Sequence, residues 1–205
     1  MNWIQFPHLN FPELIHGFSE RHVCSLDSLN QELEISLQKL GIDFSQTIQA
    51  EQPHGSGVAV VDAPQKEKVS GVDALVTSSL NLALIVRVAD CGPVFFYDPV
   101  QKVIAVAHSG RKGTELNIVA ETLKVMRDQK GSQIENIRVQ LGPCIRPPHY
   151  EIPFALEIEK QVKEMGVCEY LDCGLCTGSN LNRFYSYRLE KGNTGRMWGV
   201  LMMKS

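Results

Sequence analysis

Residues 82–110 read LALIVRVADCGPVFFYDPVQKVIAVAHSG, and the order of apolar runs within them decides the fold. Leu82–Val88 is apolar at odd and even positions alike except at Arg87, the pattern of a central strand covered on both faces. Val94–Tyr97 and Val103–Ala107 flank Asp98-Pro-Val-Gln-Lys102, whose turn chemistry predicts a hairpin. Outward from this stretch, strand-like runs recur around Ile48, at 58–61, at 74–77 and through Ile137, Val139 and Leu141. Three helical stripes lie among them. Leu29, Leu33, Leu37 and Leu40 are stopped by Gly41; Leu116, Val119, Ala120 and Leu123 follow Thr114 as the expected N-cap; Ala155, Ile158, Val162 and Met165 form the third. Hairpins prevail over strict βαβ order, which predicts an α+β fold: a sandwich of mixed β-sheets flanked by helices, one domain over residues 1–205.

Composition excludes several classes of partner. A formal net charge of -3 gives no excess of Lys and Arg for nucleic acid or an anionic membrane. No apolar stretch is long enough to span a bilayer, and the first residues lack the basic start and apolar run of a secretory signal, so a cytoplasmic location is expected. The six cysteines are then expected to be reduced. Cys173-Gly-Leu-Cys176 is a lone CxxC without a second ligand pair, which reads as structural rather than as a zinc knuckle. Cys24 and Cys144 read as small buried hydrophobes, and His8, His16, His22 and His149 as structural histidines.

The hairpin also makes a chemical statement. If its turn centres between Pro99 and Val100, Cys91 and His108 stand directly opposite, with Cβ atoms roughly 5 Å apart. A thiolate and an imidazole at that distance can share one metal or one proton. Both leave the end of the hairpin where a rigid scaffold hands residues to loops. Gly110-Arg-Lys-Gly113 follows at once, a glycine-flanked segment with two cations that could seat a phosphate. Asp90, next to Cys91, should face the other way and serve structure.

Gln52-Pro-His-Gly55, Asp73-Ala-Leu-Val-Thr77, Ala89-Asp-Cys-Gly-Pro93, Tyr97-Asp-Pro99, His108-Ser-Gly110, Leu141-Gly-Pro-Cys-Ile145 and Tyr150-Glu-Ile152 occur in this order, with His16-Gly-Phe-Ser-Glu-Arg21 and Phe184-Tyr-Ser-Tyr-Arg188 towards the two ends. The series resembles the YfiH/laccase-domain family, also called the peptidoglycan editing factor family, across nearly the whole chain. The resemblance implies that His54, Cys91 and His108 form a catalytic centre able to bind Zn²⁺, with copper the lesser alternative. It implies purine nucleoside phosphorolysis on adenosine, inosine, guanosine or methylthioadenosine, and adenosine deamination besides. Two histidines and one cysteine leave an open position on zinc, as catalytic sites require. Arg21 and Lys112 are the candidate phosphate and substrate ligands. The expected partners are a purine nucleoside and phosphate, the protein acting as a monomer or homodimer.

The family usually reads His-Ala-Gly-Trp-Arg-Gly where this chain has His108-Ser-Gly-Arg-Lys-Gly113, so Arg111 replaces Trp and Lys112 replaces Arg. A point charge thus stands where the family offers a planar fork. Besides a catalytically inactive binding module, against which the retention of His54, Cys91 and His108 argues, two readings compete with the phosphorylase. One is a metal-free cysteine hydrolase acting on peptidoglycan precursors, with Cys91 as nucleophile and His108 as base. The other, a copper phenol oxidase, would need many imidazoles, and several of the six histidines lie outside the site motifs.

Overall fold

The 82–110 stretch folds as a strand, a crossing and a hairpin, and the crossing carries the chain from one sheet to another. The computed structural model describes residues 2–22 and 29–205, with side chains over 2–22 and 31–205. Leu29's side chain and Cys24 lie outside these. The elements are β1 (Trp3–Ile4), β2 (Leu14–Ser19), α1 (Leu29–Gln38), β3 (Thr47–Gln49), β4 (Val58–Val60), β5 (Ala74–Thr77), β6 (Ala83–Val88), β7 (Gly92–Asp98) and β8 (Val103–Ser109). They continue with α2 (Arg111–Glu115), α3 (Ile118–Lys130), β9 (Arg138–Leu141), α4 (Phe154–Glu164), β10 (Glu169–Asp172) and β11 (Met197–Met203). One mixed sheet has five strands in the order β1-β2-β11-β6-β3; the other has six in the order β10-β9-β7-β8-β5-β4. The expected α+β sandwich of mixed sheets is what forms.

Alternation along the strands sorts the side chains into three cores. Phe18, Leu84, Val86 and Leu201 of the five-stranded sheet meet Leu75, Phe95, Tyr97, Ile104 and Val106 of the other. The opposite faces of β7 and β8, through Val94, Phe96, Ala105 and Ala107, pack on Leu123 and Met126 of α3 and Ile158 and Val162 of α4. Leu33 and Leu37 of α1 cover Ala83, Ile85, Trp198 and Val200. The order of layers is helix, sheet, sheet, helices. Each central strand is buried on both faces, as the unbroken apolar run of Leu82–Val88 requires. No helix of the described residues is long and apolar enough to cross a membrane.

Two local expectations are corrected. The hairpin register pairs Pro93, not Cys91, with His108, and Asp98 with Val103. Asp98 Oδ1 accepts the N–H groups of Val100 (2.8 Å) and Gln101 (3.1 Å), and Lys102 takes φ 54. This longer turn moves its centre to between Val100 and Gln101. The offset is two residues, so face parity survives and Cys91 and His108 become diagonal neighbours. Thr114 is not an N-cap either. Gly110 caps α2, the αL residue Asn117 precedes α3, and Thr114 is buried with its hydroxyl on the Gly110 carbonyl at 2.8 Å. Leu116, outside α3, is exposed, and the buried face of α3 is Ile118, Val119, Thr122, Leu123 and Met126.

His16 on β2 is buried, and its Nε2 accepts the Phe6 N–H at 2.9 Å, which needs an unprotonated nitrogen. Burial pushes this imidazole down to about 4 from 6.5. The unfolded chain therefore binds a proton below pH 6.5 that the fold refuses, so stability is full above that value and falls as the pH drops towards 4. Urea titrations should show a loss on the order of 3 kcal/mol over this window from His16. In His16→Gln, which keeps an acceptor without titrating, the acid loss should shrink; an unchanged pH profile would refute this assignment.

Candidate active site

Strand register builds the site from Asp73 outward. Ala74 of β5 pairs with Ala107 of β8, so Asp73, at the head of β5, comes to stand beside His108. The wholly buried Asp73 carboxylate lies 2.8 Å from His108 Nδ1, 3.0 Å from the His54 N–H and 2.7 Å from the Gly55 N–H. An ionised carboxylate only accepts, so Nδ1 carries the proton and His108 Nε2 is left for Cys91 or a metal.

Cys91 lies just before β7, at the end of the crossing from β6. Asp90 makes that crossing with φ 85, a left-handed conformation costing on the order of 1 kcal/mol or more. Its carboxylate is held by the Thr177 hydroxyl (2.7 Å), the Ser186 hydroxyl (3.0 Å) and the Arg188 N–H (2.8 Å), and its carbonyl accepts from Ile145 (2.9 Å). Asp90 is thus an anchor that aims Cys91 while turning away from it.

His54 arrives on another crossing between sheets, from β3 to β4. Gln52 (φ 69) and His54 (φ 64) are both left-handed. The Gln52 side-chain amide donates to the Arg87 carbonyl at 2.7 Å and accepts the Arg87 N–H at 2.9 Å, tying the loop to the end of β6. The His54 ring stands edge-on to His108, with centroids 4.7 Å apart.

One ligand-type atom from each of His54, Cys91 and His108 lies within 4.8 Å of the others, and this is the only such grouping among the described residues. Burial pushes the Cys91 thiol up, but hydrogen bonds and charge from His108 and His54 outweigh it and bring it down to about 6. Burial likewise pushes His108 towards neutrality, and the Asp73 carboxylate and Cys91 sulfur outweigh it to hold the imidazole at about 9. The pair is therefore charged at neutral pH, thiolate beside imidazolium. A thiolate with two imidazoles, open on the cleft side, fits a single metal ion, and the donor set suits zinc and copper alike. Gly110 makes room for the thiol: a Cβ there would stand 2.5 Å from Cys91 Sγ.

The three residues open into a cleft of about 1060 Å³, also lined by Glu51, Arg87, Tyr150, Phe154, Tyr187 and Arg196. That is at the upper end of small-molecule sites, roughly 300–1,000 Å³, enough for a nucleoside together with an anion. Arg111 and Lys112 line it too, on the short helix α2 rather than in a loop. Arg111 is paired with Glu115 at 2.8 Å. Arg188 pairs with Glu151 (2.8 Å) and lies over the Tyr150 ring (4.8 Å) at the cleft wall. Arg21 is not brought to the cleft. Its guanidinium is spent on Glu190 (2.8 Å), the Leu181 and Phe184 carbonyls, and the Tyr185 ring.

Among the described residues the remaining histidines and cysteines do not join this grouping. His22 stacks on Trp198 with centroids 4.5 Å apart, and Cys176 Sγ lies 3.5 Å from His149 Nδ1. Cys144 is wholly buried, which pushes its thiol up, and burial raises Cys173 to about 11. Asp73 is the residue whose role the sequence reading missed. The available signal was an acid immediately ahead of the apolar run Ala74–Val76.

Residues 25–158 and 154–204 match the family model described as multi-copper polyphenol oxidoreductase laccase. The chain belongs to this laccase-domain (YfiH) family. Among curated relatives, a purine nucleoside phosphorylase of Streptomyces coelicolor is 32% identical over 197 residues, 83% of this chain and 80% of that one. A purine nucleoside phosphorylase of Streptomyces griseus is 36% identical over 83% of this chain and 79% of its own. Among solved structures, YlmD from Geobacillus stearothermophilus superposes with a TM-score of 0.93 at 20% identity, covering 100% of this chain and 97% of that one. Bacillus licheniformis YfiH gives 0.88 at 22%, covering 95% and 94%. At these identities the structures speak for the shared fold.

Two substitutions test the geometry. Asp73→Asn should weaken metal binding about 10–100-fold, measured by competition with a chelator, because it loosens His108 and the His54 backbone together. Gly110→Ala should abolish stoichiometric zinc binding with secondary structure retained by circular dichroism. Full zinc occupancy in Gly110→Ala would show that the Cys91 thiol is not confined there.

Proposed function

We propose that the chain is a purine nucleoside phosphorylase whose catalytic centre is His54, Cys91 and His108. The observation that carries this reading is the convergence of those side chains on a cleft large enough for nucleoside and phosphate, in a chain whose relatives at 32 and 36% identity bear that name. His54, Cys91 and His108 would hold one metal ion, zinc on this reading. When bound, zinc supplies a Lewis acid that stabilises charge developing in the transition state.

The chain's own groups account for the rest. Asp73 keeps His108 in the tautomer that presents Nε2, and the cationic cleft wall neutralises an incoming phosphate. Tyr150 and Tyr187 offer ring faces to a purine. A phosphate oxygen attacks C1′ as the C1′–N9 bond breaks, the bond's electron pair leaves with the base, and the phosphate's proton ends on a purine nitrogen. The products are ribose 1-phosphate and free base. Adenosine, inosine, guanosine and methylthioadenosine are the substrates to examine, and release of ammonia from adenosine would report the deaminase activity.

A second reading has its own support. Cys91, His108 and Asp73 also form a nucleophile, a base and an orienting carboxylate, with the thiol already lowered to about 6. This would make a metal-free cysteine hydrolase, for which peptidoglycan precursors are the candidate substrates.

Incubation with a nucleoside panel, with and without phosphate, should release purine base only when phosphate is present. Cys91→Ala should reduce turnover by about 10³-fold or more. Equal release without phosphate would defeat the phosphorylase reading. A covalent Cys91 adduct on a protein purified free of zinc, identified by mass spectrometry, would favour the hydrolase.

A further inference from the structure

Arg87 is the one charged residue in the apolar strand β6, where the register sets it opposite Trp198 of β11. Its side chain is half-buried on the cleft wall, and its Nε is closed to solvent without a hydrogen-bond partner. Among the described residues no carboxylate forms an ion pair with it. A guanidinium N–H removed from water and left unpaired is costly. The charges around it add to the cost. Arg196, immediately before β11, is close enough for its charge to oppose that of Arg87, as is that of Lys68.

Arg196 is fixed in place, with Nη1 on the Thr194 (3.1 Å) and Gly195 (2.9 Å) carbonyls and its guanidinium 5.6 Å from the Tyr187 ring centre. It too has no ion pair among the described residues. The acid at this end of the cleft, Glu51, is bound to the Ser70 hydroxyl (2.9 Å) and the Gly71 N–H (2.6 Å). The other arginines on the wall are neutralised, Arg111 by Glu115 and Arg188 by Glu151, which leaves Lys112 of α2 as the remaining cation there. Among the described residues no carboxylate neutralises either of these two guanidinium groups, which line one cleft and oppose one another, and a single anion would relieve both. The Gln52 clamp on the Arg87 backbone ties this corner to the loop that carries His54.

We propose that Arg87 and Arg196 form the seat of a phosphate group in the cleft shared with His54, Cys91 and His108. The proposal rests on the phosphorylase reading for its purpose, though not for its geometry. Two forks around one tetrahedral dianion are the arrangement in which arginine outperforms lysine. The phosphate could be inorganic, as the attacking group, or the 5′-phosphate of a nucleotide; the chemistry of the seat is the same.

Calorimetric titration of the zinc-loaded protein with inorganic phosphate, adenosine 5′-monophosphate and adenosine separates the two sources. The wild type should bind inorganic phosphate, and Arg87→Gln and Arg196→Gln should each weaken it about tenfold or more. Arg87→Lys should recover part of the affinity, and Arg127→Gln, on exposed α3, should match the wild type. Zinc content and melting temperature of each variant report that the fold is kept. Weakening of the nucleotide alone would identify the 5′-phosphate as the occupant and still support the seat. Wild-type affinity for both phosphate probes in both glutamine variants, or no binding of either phosphate probe to the wild type, would overturn it. If phosphate binds and is lost in Arg87→Gln while no nucleoside is cleaved, the seat stands and the phosphorylase reading fails. If cleavage depends on phosphate but its KM for phosphate and the affinity for the nucleotide are both unchanged in the two glutamine variants, the phosphorylase stands and the seat fails.

Discussion

A single buried carboxylate organises the candidate site. Asp73 accepts from the His108 ring and from two successive backbone N–H groups, those of His54 and Gly55. A carboxylate without solvent is tolerable only when its lone pairs are filled, and here each partner that fills them belongs to the site. The same bonds place two of the three ligand-type side chains and choose the tautomer of one. Asp73, His108 and Cys91 then form an alternating series of charges, negative, positive, negative. Its excess negative charge is what a metal cation would meet, while the cleft beyond it is lined with cations.

The other constraints act on the backbone. Three left-handed residues, Gln52, His54 and Asp90, lie within or next to the motifs that build the site. Each is opposed by specific bonds: the two-way amide clamp of Gln52, the Asp73 carboxylate on the His54 N–H, and the polar contacts of Asp90. Strain concentrated in this way is characteristic of sites that must hold a geometry the chain would not otherwise adopt. Gly110 contributes by what it lacks, since the thiol occupies the space where any other residue would put a Cβ.

What could be read from the sequence follows the range over which its signals act. Periodicity gave β6, the hairpin and the stripe on α4, because each depends on neighbours along the chain. Parity along the hairpin put Cys91 and His108 on one face even though the register was two residues off, since a two-residue slip leaves faces unchanged. Asp98, by bonding two turn N–H groups, set a longer turn than its neighbours suggested. His54 was reached only through the motif resemblance, because its loop meets the hairpin through Asp73 and that contact spans 35 residues. The pairing of β5 with β8 is itself long-range, so the importance of Asp73 was hidden. Arg87 was visible from the start as the exception in an apolar strand, but its exposure to the cleft was not.

Both loops that supply ligand-type residues ahead of the hairpin are crossings between sheets. His54 lies where the chain passes from β3 to β4, Cys91 where it passes from β6 to β7, and His108 at the far end of β8. The site therefore sits on a seam in the sandwich. Anything that bridges these three side chains fastens both crossings at once, like a rivet through two plates. Its binding free energy would be felt as resistance of the sheets to parting as well as local order, so occupancy and global stability should rise together. In this architecture the place that performs chemistry is also the place where the two sheets are stitched.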